Sequence, residues 1–151
     1  MAVFRYKMQS ILDIKEKLED KAKQDFAAAN MRYEAEKQKL EELHRRRRFY
    51  LDEGVKLRTA LIDVRKIREN KMATLKVEDY IRAQMIEVNK AAQAVEKARL
   101  ALEELMKERK AHEKLKENAF QDFLKEEQAI ESRAIDELTT YTHGQKLMEE
   151  K

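Results

Sequence analysis

Apolar residues recur along the first half of the chain in alternating steps of three and four: Ile11, Ile14, Leu18, Ala22, Phe26, Ala29 and Tyr33, then Leu40, Leu43, Tyr50, Leu57, Leu61 and Val64. This is the period of a long amphipathic helix, not of a strand. A narrow stripe with charge on its other sides buries too little surface alone, so the pattern demands a partner helix. Two successive steps of four, Leu18 to Ala22 to Phe26, read as a stutter. Glu36, Arg47 and Gly54 interrupt the stripe, and polar seam positions of this kind fix register at a cost in stability.

Between Glu69 and Asp79 the stripe loses definition, and ENKMATLKVED places Thr74 where it could cap a following helix, with Glu78 and Asp79 near that helix's positive end. The pattern resumes with Tyr80, Ile81, Met85, Val88, Ala92, Val95, Leu102, Leu105, Leu115, Ala119, Phe123, Ile130, Ala134, Leu138 and Tyr141. The expected fold is therefore all-α: one domain over residues 1–151, with helix 1 over about 5–70, a turn over about 70–78, helix 2 over about 79–142 and a frayed C-terminal tail beyond TTYTHG. An antiparallel coiled-coil hairpin of two such helices would be a rod about 100 Å long at roughly 1.5 Å per residue. A turn centred near Thr74 would set Leu43 opposite Leu105 and Arg45 to Arg48 beside Leu100 to Glu104, so that Glu103 and Glu104 help choose the alignment. Gly54 reads as a weak spot within helix 1, and Leu12, Leu51, Ile62, Ile86 and Met106 fall off the stripe, where a partner's groove could take them.

Composition strengthens this reading. Charged residues make up 42% of the chain, proline is absent, and only Gly54 and Gly144 are glycine, a poor recipe for a globular domain with many turns. Residues 1–75 hold 19 Lys and Arg against 13 Asp and Glu, net +6, whereas residues 76–151 hold 14 against 17, net −3. Arms of opposite charge suit a hairpin. The absence of cysteine removes disulfides, thiolate chemistry and cysteine-rich zinc sites. Neither a membrane-spanning run nor a secretory leader is visible, so a soluble cytosolic chain without membrane insertion is expected.

Candidate chemistry is sparse. HRRRR, His44 to Arg48, is the one dense basic cluster; it could meet nucleic acid or a protein, or remain a solvated, register-setting face. Successive residues point around a helix in 100° steps, so Arg45, Arg46, Arg47 and Arg48 do not form one phosphate stripe, and nucleic acid is the least favoured partner. A di-iron bundle needs Glu-x-x-His on two helices, and only Glu41 to His44 fits. Zinc-protease, phosphate-loop and nucleophile-elbow motifs are absent, and a two-helix seam offers no pocket in which to dry a carboxylate. No catalytic residue, cofactor or metal is expected.

The opening FRYKMQSILDIKEK, with Phe4, Tyr6, Gln9, Ile11, Leu12 and Lys15, and the later KERKAHEKLKE at 107–117, followed by Phe123, Glu126, Glu127, Asp136 and Glu137, resemble the two ends of the FliJ family. Members are soluble coiled-coil components of the bacterial flagellar type III export apparatus. The resemblance implies a non-enzymatic protein similar to the stalk of rotary ATPases, which enters and promotes the hexameric export ATPase FliI and contacts the export gate FlhA, with FliH and export chaperones as further partners. It also implies a cytoplasmic location, peripherally associated with the inner-membrane gate at the flagellar base. Gln38, Leu43, Tyr50, Tyr80, Ile81 and Met85 resemble the region that family members turn to the gate, and by stalk analogy Ile11, Leu18, Phe123 and Ile130 would enter the ring. A stalk of a virulence type III secretion system or of a rotary ATPase, or an unrelated coiled-coil scaffold, are the competing readings.

Overall fold

The computed structural model describes residues 2–150; Met1 and Lys151, the outermost residues of the expected domain, lie outside the described residues. Two helices account for nearly all of it, α1 over Gln9–Thr59 and α2 over Val64–Glu149, and they pair as an antiparallel hairpin with no strand among the described residues. Packing groups the hairpin into two compact units, where the sequence suggests one domain. A terminal unit combines Met1–Glu19 with Leu105–Lys151, and a second unit spans Asp20–Glu104.

The turn lies at residues 60–63, earlier than the expected 70–78. Its chemistry explains the difference. Thr59 donates its hydroxyl to the Lys56 carbonyl, Ala60 N–H closes on the same carbonyl at 3.2 Å, and Lys56 and Arg58 stand at the negative end of α1. Asp63 then caps α2, its Oδ1 accepting from the N–H groups of Arg65 at 3.0 Å and Lys66 at 3.4 Å. Leu61, taken as a seam residue, is 99% exposed at the turn. Thr74 caps nothing: within α2 it donates back to the Asn70 carbonyl at 2.9 Å.

A hairpin's register follows its turn, so moving the turn by about 12 residues moves each partner by about 24. Leu43 accordingly lies with Tyr80 and Gln84 and not with Leu105. Arg47 reaches Glu78 at 3.2 Å, Arg45 pairs along α1 with Glu42, and Glu103 accepts from Arg99 on its own helix, so the expected alignment of Arg45 to Arg48 with Glu103 and Glu104 is replaced.

The seam also differs at its start. Leu12, an expected off-stripe residue, is 2% exposed, whereas Ile11, Ile14 and Leu18 stand in solvent. With Leu12, Lys15 and Glu19 facing inward, the α1 seam runs on through Ala22, Phe26, Ala29 and Tyr33 in unbroken three-four alternation, and the stutter disappears. In the second unit Val77, Ile81 and Ala91 form the buried line of α2, with Ala91 fully buried. Each polar interruption predicted in α1 finds a partner on α2. Gln84 donates to both the carbonyl and the carboxylate of Glu36, Arg47 meets Glu78, and Asn70 lies over Gly54 while donating to the Tyr50 carbonyl at 2.9 Å.

The tail expected to fray is helical to Glu149. Thr139, Thr140 and Thr142 donate their hydroxyls back to the carbonyls four residues earlier, at 2.8–2.9 Å, so that these side chains bond within the helix.

Candidate functional site

In the second unit, side chains of both helices enclose an open groove of about 730 Å³. Gln38, Leu43 and Arg46 contribute from α1, at spacings that bring them to one flank of the seam, and Tyr80, Ala83, Gln84 and Glu87 from α2. Its floor is small and apolar, with the exposed Tyr80 ring as its largest side chain, and its rim carries both signs of charge in Lys39, Glu42, Arg46 and Glu87. Lys76 stands 6.0 Å from the centre of the Tyr80 ring. Below the groove, the Gln84 amide and, to a lesser degree, Lys39 hold the Glu36 carboxyl below the usual carboxylate range. Such a surface suits an extended or helical protein segment with an apolar anchor.

Of the residues singled out from the sequence, Gln38, Leu43, Tyr80 and Arg46 share this groove. Ile81 is instead buried in the seam, Met85 is exposed on α2 outside the groove lining, and Tyr50 packs its ring against Phe49 with centres 5.7 Å apart. Arg47 is committed to Glu78, Arg45 to Glu42, and Arg48 is exposed. Lys39, Glu42, Gln84 and Glu87 were missed. Lys39, Glu42 and Gln84 lie one helical turn from residues that were found and Glu87 two turns from Tyr80, but only the correct register shows which turn of α2 faces Leu43.

The terminal unit gathers the two sequence signatures. Residues 2–8 precede α1 without helix, and Phe4 folds onto α2 with its ring 5.2 Å from Phe120 and 5.5 Å from Phe123. Phe4, Leu12 and Glu16 share a hollow of about 330 Å³ with Glu113, Lys116 and Phe120, and a second hollow, of about 660 Å³, lies between residues 3–8 and Ala119, Phe123 and Glu126. Deeper in the seam, Glu19 is held by Arg109, which Glu113 also engages at 2.9 Å, and together these two carboxylates raise the Arg109 pKa above its ordinary value. Lys15 reaches Glu108 at 2.8 Å. Ile11, Leu18 and Ile130 are exposed in this unit, whereas Phe123 is half-buried among the aromatics. No group of His, Asp and Glu among the described residues has the arrangement of a metal site.

A family model described as the flagellar FliJ protein matches residues 4–147, from Phe4 of the aromatic cluster almost to the end of α2. The chain belongs to the FliJ family. Membership assigns it to the flagellar type III export apparatus as a coiled-coil accessory component. Among solved structures, the chain is similar to one described as "a putative YscO homolog CT670 from Chlamydia trachomatis", with TM-score 0.62 and 22% identity over 93% of this chain and 96% of that one. That likeness is one of fold. A comparison with curated proteins finds no match. No helix of this FliJ-family chain, among the described residues, is long and apolar enough to cross a membrane.

Proposed function

We propose that the chain is a non-enzymatic, stalk-like coiled coil that binds and promotes the hexameric export ATPase FliI and links it to the export gate FlhA and to export chaperones, with FliH as a further contact. The observation that carries this reading is the family match across both arms of a two-helix hairpin, over residues 4–147. Two surfaces fit the two kinds of partner. The terminal unit, with Ile11, Leu18 and Ile130 exposed, supplies the apolar contacts a ring-binding stalk needs, and the groove at Leu43 and Tyr80 supplies a separate face for the gate. A stalk that touches six equivalent subunits unequally biases their states through differential contacts, without chemistry of its own. In this reading the protein is cytoplasmic and only peripherally associated with the inner-membrane gate at the flagellar base.

Adding the purified chain to its cognate ATPase is expected to raise turnover and hexamer formation; no change at saturating chain would sink the stalk reading. Tyr80→Ala combined with Leu43→Ala should weaken capture of the gate protein while leaving ATPase stimulation intact. The likeness to the YscO homolog favours one second reading, the corresponding stalk of a virulence secretion system. Restoration of swimming in a flagellar stalk deletion, without restoration of effector secretion in a virulence one, separates the two.

A further inference from the structure

The start of α1 carries two helical stripes one residue apart, and the hairpin uses only one. Leu12, Lys15 and Glu19 face α2, with Lys15 bound to Glu108 and Glu19, its side chain 3% exposed, held by Arg109. Ile11, Ile14 and Leu18 repeat the same three-then-four spacing one residue earlier and remain exposed. Two charged side chains therefore occupy the seam while three apolar ones stand in water, the reverse of what burial alone favours.

We propose that the first turns of α1 form a two-position switch, in which this segment rotates about its own axis by one residue step, about 100°, so that Ile11, Ile14 and Leu18 replace Leu12, Lys15 and Glu19 against α2. Within α1, the four-residue steps from Leu18 to Ala22 and from Ala22 to Phe26 supply the stutter that absorbs the rotation, with Ala22 and Phe26 in the seam in both positions. The ion pairs hold the observed position, because rotation breaks the Glu19–Arg109 and Lys15–Glu108 bonds across the seam. The rotated position returns Lys15 and Glu19 to water and does not strand Arg109, whose other N–H already donates to Glu113 at 2.9 Å. On the opposing face, His112 Nδ1 is buried without a hydrogen-bond partner among the described residues, so no polar bond through this atom ties α2 to the observed position. The switch decides whether an apolar stripe is presented or hidden. It is a property of the chain alone and stands apart from the identity of any partner.

The cysteine-free sequence makes rotation directly measurable. Lys15 reaches Glu108 and Leu12 shares a hollow with Glu113 and Lys116, which sets His112 across from Leu12. Thiols in Leu12→Cys/His112→Cys face each other in the observed position. Those in Ile11→Cys/His112→Cys face each other only after rotation, since a disulfide needs Cα atoms within about 7 Å and converging side chains. Under a mild oxidant both pairs should close, the second more slowly. Adding Glu19→Gln should speed closure of the Ile11→Cys pair about tenfold relative to the Leu12→Cys pair. Leu18→Asn, at a solvent-facing position that leaves the observed fold intact, should slow the Ile11→Cys pair. An Ile11→Cys pair that stays reduced in the Glu19→Gln chain while the Leu12→Cys pair closes overturns the switch. Equal acceleration of both pairs, the mark of fraying, overturns it as well, and so does indifference to Leu18→Asn.

Discussion

Gly54 and Asn70 act as one unit. A Cβ on residue 54 would sit 2.8 Å from the Asn70 side-chain oxygen, and Asn70 uses its closeness to donate to the Tyr50 carbonyl. Gly54→Ala therefore gains about 1 kcal/mol of helix propensity and loses a hydrogen bond of similar worth, so it should be nearly neutral in the native chain. In an Asn70→Ala background nothing opposes the gain, and the same change should stabilise by about 1 kcal/mol, a coupling that urea unfolding of the four chains reads directly. Glu36 carries a different signature. The Gln84 amide lowers its folded pKa below the ordinary 4.5, so through that region the unfolded chain binds more protons than the native one. The stabilisation from this group is complete above the unfolded value and is lost as pH falls through the folded one. Glu36→Gln should accordingly flatten the dependence of stability on pH in the acid range below the ordinary carboxylate value of 4.5. Both sites were visible in the sequence as interruptions of the α1 stripe. Their partners were not, because naming a partner requires the register, and that depends on the turn.

The turn is where the helices were least legible. Residues 60–63 contain neither glycine nor proline, and Leu61 and Val64 continue the apolar rhythm, so periodicity runs straight across the break. What ends one helix and starts the next is a pair of local side-chain bonds, from Thr59 to the Lys56 carbonyl and from the Arg65 and Lys66 N–H groups to Asp63. Asp63→Ala should cost about 1 kcal/mol in chemical unfolding. Thr74→Ala should change stability by no more than about 0.5 kcal/mol, since that hydroxyl only bonds back within its own helix. Equal costs for the two would return the turn to residues 70–78. The start of α1 misled for a related reason: Ile11, Ile14 and Leu18 are the more apolar stripe, but Arg109 and Glu108 offer Glu19 and Lys15 partners that no single-helix pattern reveals. Fold class, by contrast, rested on evidence repeated at every turn, namely a sustained three-four period without proline, and the error in the turn did not affect it.

For the molecule as a whole, stability and partner binding draw on different stretches of the chain. Half-buried positions of α2 continue as far as Glu127, and from Gln128 onward every described residue is exposed. Ile130, Ile135, Leu138 and Tyr141 thus contribute no seam, although a helix with such a stripe is built to lie against something. If the last 21 residues, 131–151, serve a partner and not the fold, removing them should change unfolding free energy by no more than about 0.5 kcal/mol, the usual range for exposed positions. The thermal midpoint would then move by less than about 2 °C, since about 1 kcal/mol corresponds to roughly 2–4 °C in a chain of this size. In the same preparation, stimulation of the export ATPase should fall sharply. Phe123→Ala provides the contrast: it strips one ring from the cluster with Phe4 and Phe120 and should lower the midpoint measurably. A truncation that melts as early as Phe123→Ala would show that the tail supports the hairpin, and stimulation that survives truncation would leave ring binding to the residues before 131, Ile11, Leu18 and Ile130, without the tail.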